Sequence, residues 1–270
     1  MNPNQTLWEK GDFTQLAATM RESGEALVKS LGISRGLKVL DVGCGDGTTA
    51  LPAARLGADV LGIDIARNLV DAGNRRAKAE GLDNVRFRQG DASTLEGVED
   101  RSFDLVISIF GAMFAPKPAE VAKAMVRVTR PGGRIVMGNW IPGDPTLVAQ
   151  ILKISAAYAA PPPAGFVSPM NWGVPSDVLE RFEGAGVARD RITLVPETYV
   201  FDYAQPPKAF VQLFRQYYGP TMNAFDAAAQ TGRAEALLGE LEALFEAKNT
   251  SPDRTRTLIP ATFLRVTVNV

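Results

Sequence analysis

The 270-residue sequence contains no histidine and a single cysteine, Cys44. Without imidazole there is no Ser-His triad, no histidine general base and no histidine metal ligand. One thiol cannot make up a zinc or iron site, so no metal is expected. It also excludes an internal disulfide and fits a reducing compartment. Neither sign of charge dominates: 29 Lys and Arg stand against 30 Asp and Glu, a net charge of −1. The cations are scattered, which leaves no basic footprint for DNA or RNA. No run approaches the roughly 20 apolar residues of a membrane-spanning helix, and the first residues lack the basic-then-apolar pattern of a leader. A cytoplasmic protein with no membrane or nucleic-acid partner is expected.

What is present is a core-forming composition, 46% hydrophobic and 22% charged, and one unusual junction. Val39-Leu40-Asp41-Val42 runs directly into Gly43-Cys44-Gly45-Asp46-Gly47. Three glycines spaced two apart after a strand let a ligand approach the main chain, because no side chain intervenes.

Periodicity places the rest around this junction. Residues 14–31 have helical spacing. Strands are predicted over 38–42, 60–64, 85–88, 103–109 and 134–139, separated by helices over 48–56, 67–80 and 119–129. Pro131-Gly132-Gly133 breaks the last of these helices. Alternation of this kind favours right-handed crossovers and a mostly parallel sheet. In such sheets ligands lie beyond the carboxyl ends of the strands. Gly43–Gly47, Asp64, Asp91 and the segment after Ile109 all fall at those ends and should converge.

The second half is less regular. A helix is expected over 146–159, a stiff link at Pro161-Pro162-Pro163 and a helix from Ser176, as N-cap, to about 183. A sixth strand is expected over 192–201, helices over 207–217 and 221–248, and a last alternating strand over 261–269.

A glycine loop with an acid about 20 residues downstream also fits a dinucleotide site. That fingerprint, however, wants glycine where Thr48 stands, and it gives Asp91 no role. An NAD(P)-dependent Rossmann oxidoreductase is therefore the alternative.

Five segments occur in order: Asp41-Val42-Gly43-Cys44-Gly45-Asp46-Gly47, Gly62-Ile63-Asp64, Gln89-Gly90-Asp91-Ala92, Phe103-Asp104-Leu105-Val106 and Arg130-Pro131-Gly132-Gly133. Together they resemble the motif series of class I S-adenosylmethionine (SAM)-dependent methyltransferases. The likeness covers about residues 36–141. More loosely, Trp8, Gly11-Asp12-Phe13 and Tyr217-Tyr218-Gly219-Pro220-Thr221 resemble the small-molecule branch that includes quinone-precursor methyltransferases.

The resemblance implies a doubly wound α/β fold, a seven-stranded mostly parallel sheet whose last strand is antiparallel between the fifth and sixth. It implies one methyltransferase domain over 1–270, with a SAM-binding core at 36–141 and helical lid segments at 1–35, 141–190 and 203–257. SAM would be the cofactor and S-adenosylhomocysteine the product. Gly43, Cys44 and Gly45 would pass under the methionyl part, with Asp41 near its ammonium. Asp64 would accept the ribose hydroxyls, Ile65 would lie on adenine, and Asp91 and the Ala92 N–H would meet its edge. Ser108 and Phe110 would flank the sulfonium. The expected activity is methyl transfer to O, N or C of a small organic acceptor, a non-catalytic SAM-binding module being the other alternative. If a base is used, Asp12, Tyr217 and Tyr218 are the candidates. No Lys or Arg lies between Val39 and Ala54, in keeping with a cationic ligand.

Overall fold

The computed structural model describes residues 3–159, 161 and 165–270; of the predicted proline link, Pro162 and Pro163 lie outside them. Seven strands form one sheet: β1 (Lys38–Val42), β2 (Asp59–Asp64), β3 (Val85–Gln89), β4 (Phe103–Ile109), β5 (Thr129–Trp140), β6 (Ile192–Tyr203) and β7 (Thr257–Asn269). Their order is β3-β2-β1-β4-β5-β7-β6. β1 pairs in parallel with β2 and β4, whereas β7 runs antiparallel between β5 and β6. The order reverses between β1 and β4, so the crevice at their carboxyl ends is where the fold admits a ligand.

The helices are α1 (Pro3–Glu9), α2 (Phe13–Ala17), α3 (Arg21–Ser30), α4 (Ala50–Arg55), α5 (Arg67–Ala79), α6 (Pro118–Val128), α7 (Leu147–Ala156), α8 (Pro175–Glu183), α9 (Pro207–Tyr217), α10 (Gly219–Gln230) and α11 (Ala234–Lys248). Those between β1 and β5 cross over the sheet. Helices α7, α9, α10 and α11 come from the 141–190 and 203–257 segments and pack on one another. The strands β1 and β4 are almost wholly buried, which is why they read as continuous apolar runs. Among the described residues no helix is long and apolar enough to cross a membrane.

The structure departs from the periodicity at four places. The helix predicted over 14–31 is interrupted by a 3₁₀ turn at Ala18–Met20. The Met20 carbonyl there accepts from the Tyr199 hydroxyl at 2.9 Å, a tertiary partner that local pattern cannot reveal. Ser176 is not an N-cap: α8 starts at Pro175, preceded by Val174 with no side-chain cap, as the pre-set φ of proline permits. The helix predicted over 221–248 is two, α10 and α11. They part at Gly232, whose φ of +68° is a left-handed stop. Finally, Pro131-Gly132-Gly133 lies inside β5, which starts at Thr129. The Gly132 N–H donates to Val270 and the Val270 N–H to Gly133, so the turn becomes an irregular strand entry.

Candidate active site

The glycine loop leaves β1 with Gly43, Gly45 and Gly47 at φ of +69°, +54° and +90°, all in the left-handed region. The Gly43 and Cys44 N–H groups both donate to the Ile63 carbonyl of β2, at 2.7 and 3.1 Å. A Cβ on Gly43 would lie 2.6 Å from the Gly111 Cα, and one on Gly111 only 2.3 Å from the Gly43 oxygen. The ends of β1 and β4 thus touch backbone to backbone. At Gly45 a Cβ would meet nothing within 4 Å, so the missing side chain keeps open space above the loop.

That space is a cleft of about 910 Å³. Gly43, Cys44, Gly45, Asp64, Ile65, Asp91, Ala92 and Phe110 line it, as the strand-end rule anticipates. Asp41 and Ser108 do not. Asp41 is buried behind the loop, where it accepts from the Thr49 hydroxyl at 2.5 Å. Its Oδ1 has no hydrogen-bond partner among the described residues. Ser108 donates to the Val42 carbonyl at 2.6 Å and accepts from the Ala112 N–H at 2.9 Å, tying β4 to β1.

The carboxylates differ in what surrounds them. Asp64 is buried and accepts from the Gly45 N–H at 2.8 Å and the Ala66 N–H at 2.9 Å. Burial still holds its pKa above the ordinary carboxylate value. Burial raises Asp41 further, to about 7, with the Asp64 charge adding to the effect. Burial likewise pushes the Cys44 thiol well up, so it is no thiolate nucleophile. Asp46 is buried yet paired with Arg21 at 3.0 Å and Arg76 at 3.1 Å. The loop therefore has no cation in its own sequence but receives two from α3 and α5.

Beside this cleft, sharing part of its wall, lies a second, partly open cavity of about 390 Å³, the inner cavity. Trp8, Phe13, Met20 and Phe110 face both spaces. The inner one is further lined by Phe114, Trp140, Val148, Ile151, Phe201, Phe214 and Tyr218, with Leu16. Phe110 is the hinge between them. Its φ of +59° is a left-handed, costly conformation for a residue with a side chain, of about 1–3 kcal/mol. The Gly138 carbonyl holds its N–H at 2.9 Å, and its ring stacks on Trp140 at 3.7 Å.

The three candidate bases separate. Asp12 is the N-cap of α2, accepting from the Thr14 N–H and hydroxyl and from Gln15; these bonds hold its pKa low despite opposing burial. Asp12 and Tyr217 line neither cavity, whereas Tyr218 lines the inner one. Trp172 packs with Phe182 and Arg181, and Phe166 is exposed. Motif reading gave no role to Asp46, Met20 or Tyr199, and of the inner cavity it singled out Trp8, Phe13, Phe110 and Tyr218 but not the rest. Trp140 alone carried a signal, since it ends β5.

A methyltransferase-domain family model matches residues 40–137. An uncharacterised protein of Mycobacterium tuberculosis is 31% identical over 239 residues, covering 87% of this chain and 84% of its own length. Methyltransferase GfsG of Streptomyces halstedii is 40% identical over 126 residues, 46% of this chain and 45% of that protein. The chain belongs to the class I SAM-dependent methyltransferases. In fold it is similar to a Haemonchus contortus phosphoethanolamine N-methyltransferase solved with S-adenosylhomocysteine, at TM-score 0.62 and 17% identity, over 100% of this chain and 60% of that one. The methyltransferase takes SAM as its cofactor, which sets aside the dinucleotide alternative. The cleft's chemistry fits that group: an open glycine cradle beside buried carboxylates suits a ligand bearing a cationic sulfur, an ammonium and ribose hydroxyls.

Proposed function

We propose that this methyltransferase methylates a largely apolar, planar small molecule seated in the inner cavity. The observation that carries the reading is the aromatic cavity itself, which shares Trp8, Phe13, Met20 and Phe110 with the cofactor cleft. An acceptor there would face the cofactor's reactive end across Phe110.

When bound, SAM supplies an electrophilic methyl group on cationic sulfur. The chain's residues bind and orient. Asp64 takes the ribose hydroxyls, Asp91 and the Ala92 N–H the adenine edge, and Ile65 with Leu69 its face. Asp41, lying behind the loop, acts through Thr49 rather than by touching the cofactor. The segments 1–35, 141–190 and 203–257 form the lid that keeps water from the acceptor. Alignment and desolvation supply the rate enhancement. No protein base is needed if the acceptor brings its own electron pair. Tyr218 keeps its proton because burial raises its pKa.

No Lys or Arg is among the described residues that line the inner cavity, which also separates this acceptor from the phosphomonomethylethanolamine bound in the Haemonchus enzyme, since a phosphate needs cations. The test is a fluorescence titration of naphthalene into protein saturated with S-adenosylhomocysteine. Naphthalene should bind. Val148→Phe, which fills the cavity from α7, should weaken it at least tenfold and leave S-adenosylhomocysteine affinity unchanged. Failure of naphthalene to bind, or indifference to Val148→Phe, overturns the reading.

A further inference from the structure

The inner cavity holds one hydroxyl. Tyr218 is 5% exposed, lines the cavity, and sits between the rings of Trp8, Phe13 and Phe214. Its hydroxyl has no hydrogen-bond partner among the described residues, in contrast to Tyr199, which is equally buried and donates to Met20, and Tyr158, which donates to Glu240. Buried phenols ordinarily find a partner. The Tyr218 hydroxyl is not among the polar atoms sealed from accessible space either. It is thus a polar group kept in contact with the cavity but unused by the fold.

The rest of the lining offers almost nothing polar. Besides Tyr218, among the described lining side chains only the indoles of Trp8 and Trp140 carry a polar hydrogen, and Met20 offers a thioether. A purely apolar acceptor would leave the Tyr218 hydroxyl desolvated without compensation, and a phenylalanine would serve it better.

We propose that the Tyr218 hydroxyl is the anchor for an oxygen of the acceptor, so that the substrate class is an oxygenated ring rather than a hydrocarbon. This rests on the acceptor cavity put forward above. Tyr218 lines the inner cavity and not the cofactor cleft, so it meets the acceptor rather than the cofactor. Its role is positioning: it fixes which edge of the ring turns toward Phe110. Because burial keeps the phenol protonated, it donates across the physiological range.

The test uses two probes of one shape, naphthalene and 2-naphthol, titrated by fluorescence into protein saturated with S-adenosylhomocysteine. In the wild type 2-naphthol should bind about 3–10-fold more tightly than naphthalene, the margin expected of one neutral hydrogen bond. Tyr218→Phe removes a single oxygen; it should abolish that margin and leave naphthalene affinity unchanged, which also reports that the variant is folded. A margin that survives in Tyr218→Phe assigns the oxygen to an indole N–H and overturns the proposal. So does a wild type with no margin. If naphthalene itself fails to bind the wild type, the cavity reading falls first and this inference falls with it.

Discussion

The cofactor cleft and the inner cavity share four side chains and are built on opposite principles. The cleft is main chain and carboxylate, and most of it comes from three strand ends within residues 41–92. Its polar groups are desolvated, and bonds such as Gly45 N–H to Asp64 restrain them only in part. The inner cavity is aromatic, and among the described residues that line it Tyr218 alone is ionisable. One region spends folding stability on groups that a cofactor must touch; the other gains stability from rings that exclude water. Function thus sets a costly polar half against a stable apolar half, with strained Phe110 between them.

The widest gap between the halves should appear in pH dependence. Burial raises Asp41 from its ordinary 3.8 to about 7. Below pH 4 it is protonated whether folded or unfolded, and no penalty arises. Between pH 4 and 7 the unfolded chain loses this proton while the folded chain keeps it, so stability falls as pH rises, by about 1.4 kcal/mol per pH unit at most. Above 7 both forms are ionised and the effect levels off. Urea midpoints of wild type and Asp41→Asn across pH 4–8 should show their difference changing by about 4 kcal/mol and then flattening. The same series on Tyr218→Phe, in the apolar half, should show no slope against wild type. Parallel curves for Asp41→Asn would remove Asp41 as a cost of the cleft.

Next in size is the backbone contact beneath the cofactor. A Cβ at Gly111 would stand 2.3 Å from the Gly43 oxygen, with both partners main chain, so neither can yield by rotating a side chain. Gly111→Ala should cost about 3 kcal/mol in denaturant unfolding. It should weaken S-adenosylhomocysteine more than naphthalene, since the displaced atoms belong to the glycine loop. Equal loss of both ligands would mean that the two halves share one floor.

How much could be read from the sequence follows the same division. β1, β4 and α9 match their expected ranges because each is one apolar run or one amphipathic period with clear punctuation. The cleft was legible because its residues sit at strand ends, where topology converts spacing into proximity. The inner cavity was not. Trp8, Phe13, Phe110 and Tyr218 fell in separate motifs with nothing to tie them together, and Trp140, Val148 and Phe201, each from another part of the chain, read alone as core residues. The cations beside the glycine loop were hidden for a related reason: Arg21 and Arg76 reach Asp46 through packing, not through neighbouring sequence.

The smallest of these effects bears on Asp64, where the cleft's two tasks meet. Its carboxylate already accepts from Gly45 and Ala66 N–H groups, and a carboxylate offers about four acceptor positions, which leaves room for two ribose hydroxyls. Asp64→Ala removes all of them and should weaken S-adenosylhomocysteine by about 1–3 kcal/mol in calorimetry. Asp64→Asn keeps one oxygen acceptor and its size, so it should lose less. Were the carboxylate needed only to hold the loop, Asn would bind S-adenosylhomocysteine as wild type does, because one oxygen suffices for Gly45. A graded loss, Ala beyond Asn beyond wild type, with naphthalene affinity at saturating S-adenosylhomocysteine unchanged, is what ribose recognition by this carboxylate requires. It would also show that the two halves, despite their common wall, are energetically separate.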